Sequence, residues 1–295
     1  MAVSPDSKTV YVTGNTRTGL NLSGFGTVAY DATTGAQLWA SLYNPPDASA
    51  SATAINLSPD GKTVFVTGSS EGSGPAQGAT VAYDAATGAQ IWADSGVSAL
   101  EVATSQAISP DGSTVFDTGY EYGGGTWHLD TVAYASATGV KLWEIEGPAG
   151  RAFSIALSPD GTRVFVTGFA QARANKYLTI AYDTATGARL WGSRYTAPSG
   201  FGSIAFAVAV SPSGLRLYVT GVSVGSATSE SDYATVAYAA DDGAQLWASR
   251  YNGPGNGPDT AIAVAVSPAG RAVFVTGYST GIVSGYDWAT IDYRT

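Results

Sequence analysis

The chain has 295 residues, of which 13% are charged, and its 14 Lys and Arg against 23 Asp and Glu give a net charge of −9. No stripe of basic residues occurs, so we expect no nucleic-acid partner. The absence of cysteine excludes disulfides, thiolate metal sites and a cysteine nucleophile. No signal peptide and no apolar run of membrane-spanning length is present, so we expect no membrane insertion.

An eleven-residue unit, SPDGKTVFVTG at residues 58–68, recurs along the whole chain. Pro and Gly in its first half favour a turn, and the β-branched and aromatic run that follows predicts a strand. The spacing between copies, 49 to 56 residues, is typical of β-propeller blades. The six copies begin at Ser4, Ser58, Ser109, Ser158, Ser211 and Ser267.

Two further elements complete each repeat. A short apolar segment before each turn, such as AIAVAV at residues 261–266, predicts another strand. A second unit, TVAYDAATGAQIW at residues 80–92, predicts two strands around a turn in which Gly takes positive φ and Asp bonds nearby amides. Each repeat therefore holds four strands, A to D. The second unit also occurs at residues 27–39, 131–143, 179–191 and 235–247.

The predicted fold is all-β: a single six-bladed β-propeller domain over residues 1–295, with four-stranded antiparallel blades. The first repeat enters within strand A at Ala2, and the last stops in strand C at residues 290–295, without an outer strand of its own. We expect an upstream segment of a longer parent to supply that strand. Its exposed edge predicts a monomer or an edge-paired oligomer. The repeats begin near residues 1, 52, 102, 151, 204 and 260.

These motifs carry a family resemblance. The SPDG-x-x-VFVTG unit resembles the repeats of SBBP-type and YVTN-type bacterial β-propellers, and residues 250–259 are similar to the SBBP interblade segment. The AYD-x-x-TG-x-x-x-W unit resembles the tryptophan-docking repeat of quinoprotein-like, or PQQ-like, propellers. The resemblance implies that five tryptophans pack between blades: Trp39, Trp92, Trp143, Trp191 and Trp247.

The quinoprotein resemblance does not extend to a cofactor site. Enzymes of that family use larger rings, a calcium ion held by carboxylate and amide side chains, and often a vicinal disulfide. No counterpart of these features is found in this sequence, so we expect no PQQ dehydrogenase, no cofactor and no metal. Composition that is low in Lys and rich in Gly, Ser and Thr favours a secreted bacterial protein, extracellular or associated with the cell envelope.

The third repeat departs most from the others. Asp117 stands in strand B where the other copies have Val, so its pKa should rise unless it is paired or bonds a neighbouring amide or Thr. The predicted loop at residues 120–130 contains Tyr120, Trp127 and the only histidine, His128. One His without a second His or a Cys does not favour a zinc site.

Two carboxylates share a register. Glu101 and Asp259 each lie eight residues before a Ser-Pro turn, where three other repeats have small residues. In a six-bladed ring they would enter opposite sides of the channel mouth, where they bind a cation or a polar ligand or simply face solvent.

The sequence leaves three functions open. The first is a binding or interaction module whose variable B–C and D–A loops contact a glycan, a peptide or a cell-wall component. The second is a lyase or hydrolase that uses Asp117, Glu101 or His128 at the channel mouth. The third is a structural repeat scaffold. Under the first, the predicted ligand-binding residues are Glu101, Asp117, Tyr120, Trp127, His128 and Asp259.

Overall fold

The structure is a computed structural model that describes residues 1–17, 22–45, 48–72, 76–95, 99–198, 200–225, 230–283 and 285–295. All regular secondary structure in these ranges is β-strand, so the all-β prediction is confirmed there. The strands are β1 Ala2–Val3, β2 Thr9–Arg17, β3 Ser23–Asp31, β4 Gln37–Tyr43, β5 Ser49–Leu57, β6 Thr63–Glu71, β7 Gln77–Asp84, β8 Gln90–Ser95, β9 Val102–Ile108, β10 Thr114–Gly123, β11 Thr126–Ala135, β12 Lys141–Leu157, β13 Arg163–Ala170, β14 Lys176–Asp183, β15 Arg189–Tyr195, β16 Ser203–Val210, β17 Arg216–Val224, β18 Ser231–Ala239, β19 Gln245–Tyr251, β20 Thr260–Val266, β21 Ala272–Thr280 and β22 Tyr286–Arg294.

The chain divides into two compact units, Met1–Gly147 and Pro148–Thr295. In the first unit, consecutive strands pair in the orders β1-β2-β3-β4, β5-β6-β7-β8 and β9-β10-β11-β12. In the second unit the orders are β12-β13-β14-β15, β16-β17-β18-β19 and β20-β21-β22. Each group is one predicted repeat, and the last of them has three strands.

Strand β12 departs from the prediction. The repeats predict 23 strands, and the structure has 22 among its described residues. The difference arises because Lys141–Leu157 is one continuous strand of 17 residues. Its first part is strand D of the third repeat and its last part is strand A of the fourth. The chain between them is extended where a loop was expected, so the described residues form five sheets.

The recurring SPDG turn is held by its own side chains. In the second repeat, Ser58 Oγ donates a hydrogen bond to Asp60 Oδ1 at 2.6 Å and accepts one from the Thr63 amide at 2.9 Å. Gly61 closes the turn with φ +74°, a conformation that a side chain would strain. The turn chemistry is local in sequence, which is why it could be predicted.

The Gly of the VTG motif has a packing role. Strand β5 has a register shift between Ala52 and Ala54, opposite the Gly68 end of β6. A Cβ on Gly68 would clash with the Ser51 carbonyl oxygen, and Gly119, Gly168, Gly221 and Gly277 are equally crowded by the preceding strand. At the equivalent Gly14 a Cβ would meet nothing within 4 Å.

Tryptophans of strand D join neighbouring repeats. Trp39 Nε1 donates a hydrogen bond to the Ala85 carbonyl oxygen at 2.9 Å, and its ring lies so close to Gly88 that a Cβ there would be 2.6 Å away. Trp92 and Trp191 donate in the same way to the C–D turn of the next repeat, at 2.8 and 3.1 Å. The predicted docking role is confirmed for these three residues.

Two apolar positions near the chain ends are uncovered. Val12 is 39% exposed, whereas Val66 at the same place in the second repeat is fully buried. Trp288 is 81% exposed, whereas Leu129 at the same register of the third repeat is 1% exposed. At each of these two positions the side chain is exposed where its counterpart in another repeat is buried.

Candidate functional site on the third repeat

The segment predicted as a loop at residues 120–130 is mostly a β-hairpin. Strands β10 and β11 pair continuously from Thr114 and Ala135 to Gly123 and Thr126. Only Gly124 and Gly125 form the turn, with φ of +60° and +89°, and positive φ at both turn residues is typical of a tight type I′ hairpin. The hairpin therefore presents its side chains from paired strands.

One face of the hairpin is aromatic. The Trp127 ring contacts Tyr120 and Tyr122 edge-on, with ring centroids 5.1 and 5.0 Å apart. Tyr122 is 52% exposed. We define Tyr120, Tyr122 and Trp127 as the aromatic face. It offers a rigid contact surface at low cost in side-chain entropy.

The opposite face carries acidic residues. Glu121 pairs with His128 across the strands, and Gly119 pairs with Asp130. Because side chains alternate along a strand, these residues point away from Tyr122. Neighbouring carboxylates come from Glu144 and Glu146 of β12, both of which raise the pKa of Glu121 after the larger effect of burial. We define Glu121, His128, Asp130, Glu144 and Glu146 as the acidic face.

Specific contacts hold this face together. His128 Nδ1 lies 3.0 Å from Glu146 Oε1. Glu144 Oε2 pairs with Lys141 Nζ at 2.7 Å, and Glu144 Oε1 accepts a hydrogen bond from the Ala99 amide at 2.7 Å. Glu144 therefore joins the chain before β9 to the outer strand of the third repeat.

Asp130 is the most perturbed group on the acidic face. It is 1% exposed, its Oδ1 accepts the Thr131 amide at 2.6 Å, and its Oδ2 has no hydrogen-bond partner among the described residues. Burial first, and then the charges of Glu144 and Glu121, raise the pKa of Asp130 to about 8. The carboxyl is therefore mostly protonated at neutral pH.

Asp117 lies deeper, between the second and third repeats. It is fully buried, and Thr80 Oγ1 donates a hydrogen bond to its Oδ2 at 2.5 Å. Burial raises the pKa of Asp117 to about 6, while hydrogen bonds from Thr80 and other side chains partly oppose the rise. The side chain points into the packing between repeats, so the interpretation that it bonds a neighbouring Thr fits and a direct ligand contact does not.

The two carboxylates predicted from register differ from each other. The Glu101 amide donates to the Tyr120 carbonyl oxygen at 3.2 Å, which ties Glu101 to the base of the hairpin. Asp259 is fully buried, and its carboxylate accepts the Gly253 amide at 2.6 Å and the Thr280 amide at 2.8 Å. Asp259 therefore holds a loop closed, with each carboxylate oxygen bonded to a backbone amide.

Sequence reasoning missed Asp130 and Glu144, although comparison of the repeats could have found them. At the Asp130 position, immediately before the Thr of strand C, the other repeats have Gly, Ala or Leu. At the Glu144 position, immediately after the docking Trp, four other repeats have Ala or Gly. A carboxylate in either register replaces a small or apolar residue, which is the same signal that identified Asp117.

The arrangement limits the chemistry of this site. Within the described ranges, no group of three His, Asp or Glu is placed to hold a metal ion. A cavity of about 480 Å³ is lined by residues of β2, β3 and β4, and none of its lining residues belongs to the acidic face. None of the described residues forms a helix long and apolar enough to span a membrane. The third-repeat hairpin therefore has an aromatic face on one side and a buried acid, Asp130, behind the other.

Family comparison matches most of the chain. Residues 24–131 and 128–290 match the family described as outer membrane protein assembly factor BamB. No curated protein matches the chain.

Solved structures show the fold. Sqt1 of Chaetomium thermophilum, bound to the N-terminus of the ribosomal protein L10, is 14% identical with a TM-score of 0.65, over 99% of this chain and 69% of that one. The Dos1 propeller is 13% identical with a TM-score of 0.63, and the chain spans 64% of its length while 93% of this chain is covered. A putative 6-phosphogluconolactonase from Bacteroides uniformis is 15% identical with a TM-score of 0.56, over 99% and 84%. The fold is a β-propeller.

Proposed function

The chain belongs to the PQQ-like β-propeller repeat family described as outer membrane protein assembly factor BamB, and on that premise we propose that it binds a protein partner. The contact is an extended peptide segment of the partner, lying on the hairpin of the third repeat. The observation that carries this proposal is the Tyr122–Trp127 ring pair, partly exposed on two paired strands. Aromatic anchors on a rigid support are typical centres of protein interfaces.

Two comparisons support a peptide over a glycan or a cell-wall component. The family description refers to the assembly of other proteins. The structure of Sqt1 contains the N-terminus of a ribosomal protein, which is a peptide ligand on a propeller. The glycine turn of the hairpin adds a third argument. A Cβ at Gly124 or Gly125 would meet nothing within 4 Å, so the backbone of a peptide ligand can approach the backbone of the turn.

The finer architecture is part of the same proposal. Six SPDG units support six blades in a single domain, and the three-stranded order β20-β21-β22 supports a last blade without an outer strand of its own. An experimental structure with six sheets around one axis would agree with it. A different number of sheets around the axis would contradict it.

The location is also proposed from the family. We propose a location in the cell envelope or outside the cell, and the words 'outer membrane' in the family description support it. Fractionation of the source cells with an antibody against the chain tests this, and signal confined to the cytoplasmic fraction would overturn it.

Selection of binding peptides tests the function itself. A library of random 12-residue peptides is selected on the purified chain, and the affinity of the selected peptides is compared between the wild type and Tyr122→Ser. We expect about a tenfold or larger loss, since an interface anchor contributes more than about 1 kcal/mol. Tyr286→Ser is the matched control, because Tyr286 is 63% exposed and also makes an edge-on ring contact, with Tyr278 on the last hairpin. Equal loss in both variants, or no selected peptide, would contradict the proposal.

A further inference from the structure

The acidic face carries more negative than positive charge. The carboxyl groups at its surface belong to Glu121, Glu144 and Glu146, and the mostly protonated Asp130 lies behind them. Lys141 beside them already pairs with Glu144, and the His128 Nδ1 atom lies 3.0 Å from Glu146 Oε1. The side chain of Glu146 is 60% exposed. A charged group that approaches from solvent therefore meets the acidic face.

Behind the acidic face lies an oxygen atom without a hydrogen-bond donor among the described residues, Asp130 Oδ2. Asp130 Oδ2 is buried and has no hydrogen-bond partner in the described part of the chain. Buried carboxylate oxygens are normally satisfied by a proton or by a donor, and a charged donor forms the stronger bond. Asp130 holds a proton in the free protein, and a cation that arrives beside it would favour the ionised carboxylate.

The class of that cation follows from the surroundings. A metal ion is disfavoured, because no set of three His, Asp or Glu ligands exists among the described residues. A flexible side chain that brings its own N–H donors can pair with separate carboxylates without such a set. Lysine and arginine side chains have this property.

The two faces of the hairpin are within reach of one peptide. The Gly124–Gly125 turn and the Gly123–Thr126 pair form the tip, and a Cβ added at Gly124 or Gly125 would meet nothing within 4 Å. A segment that passes around the tip can place an apolar residue on the aromatic face and a residue several positions along on the acidic face. The net charge of −9 adds a long-range attraction for a basic segment.

We propose that the acidic face binds a lysine or arginine side chain of the peptide partner, so that the ligand class is a cationic extended peptide. The inference rests on the proposed function, since it assigns the chemistry of the same ligand. Glu121 and Glu146 make the direct contacts, and the side chain of Glu146 is 60% exposed.

Peptides selected from the random 12-residue library test it. We expect Lys or Arg at one fixed position, and replacement of that residue by norleucine in a synthetic peptide should lower the affinity about tenfold or more, because hydrogen bonds between charged groups exceed neutral ones. The double variant Glu121→Gln, Glu146→Gln should lose a similar factor for the basic peptide and nothing for the norleucine peptide. Added salt should weaken only the basic peptide.

The control and the contrary results separate the two proposals. Glu71→Gln removes one charge from the exposed end of the second hairpin and should leave both affinities unchanged. Peptides that bind through Tyr122 but tolerate norleucine would overturn the cationic ligand and leave peptide binding intact. A library that gives no binding peptide at all would overturn both.

Discussion

Thr80 Oγ1 donates a hydrogen bond to Asp117 Oδ2 at 2.5 Å across the boundary between the second and third repeats. The bond partly compensates a carboxyl group that is fully buried. It does not remove the cost of ionisation, since burial still raises the pKa of Asp117 to about 6.

Asp117→Val restores the residue found in the other repeats and should stabilise the fold at pH 8. The pKa of Asp117 is raised in the folded state from 3.8 to about 6. The contribution of Asp117 to the free energy of unfolding is therefore fully present below pH 3.8 and is lost as pH rises through 6. The loss is about 3 kcal/mol. Thr80 keeps its bond to Thr67 at 3.0 Å in the variant. Urea unfolding should show a clear gain at pH 8 and little or none at pH 4, and a loss at both pH values would refute the assignment.

Asp130→Asn should flatten the dependence of stability on pH. The wild-type carboxyl, with its folded pKa raised to about 8, stabilises the fold below pH 3.8 and loses that contribution between pH 4 and 8. An asparagine Oδ1 can still accept the Thr131 amide. Thermal unfolding from pH 4 to 9 measures the slope, with Glu71→Gln as the control for a simple change of charge. Parallel slopes for wild type and Asp130→Asn would rule out a buried, titrating Asp130.

Gly68→Ala and Gly14→Ala form a matched pair. The first should destabilise the fold by several kcal/mol, on the order of 2–4, because the new Cβ collides with backbone. The second should change stability by less than about 0.5 kcal/mol, because its site is open. Chemical denaturation compares them. Similar effects at both positions would show that close packing against the preceding strand is not the reason for glycine at position 68.

Trp39→Ala and Trp288→Ala test docking in the same way. Trp39 is buried and bonded to Ala85, so truncation should cost about 3–5 kcal/mol. Trp288 is 81% exposed, so its truncation should cost less than about 0.5 kcal/mol. A large loss for Trp288→Ala would mean that the residue is covered in solution, and sedimentation at several concentrations would then test whether a second chain covers it.

The repeats were predictable because their signals are local. The Ser58–Asp60 turn and the docking of Trp39 depend on residues close in sequence or repeated at a fixed interval. The continuous strand β12 and the loop-closing role of Asp259 were not predictable, because both depend on contacts made only after folding. The hairpin at residues 120–130 was mistaken for a loop, since its three glycines suggested flexibility when two of them form a tight turn.

Part of the site was visible in the sequence. Asp117, Tyr120, Trp127 and His128 stood out as departures from the repeat, and the structure brings all but Asp117 onto the hairpin surface. The acidic face also depends on Glu144 and Glu146 of β12. These two residues were not predicted to lie beside the hairpin, because a loop was expected where β12 continues.

Hydrogen exchange of the chain with a library-selected peptide tests the central claim most directly. The account predicts that peptide binding slows amide exchange in β10 and β11, centred on residues 120–130, and that Tyr122→Ser removes this protection. Protection confined to other strands, with the third-repeat hairpin unchanged, would contradict the account.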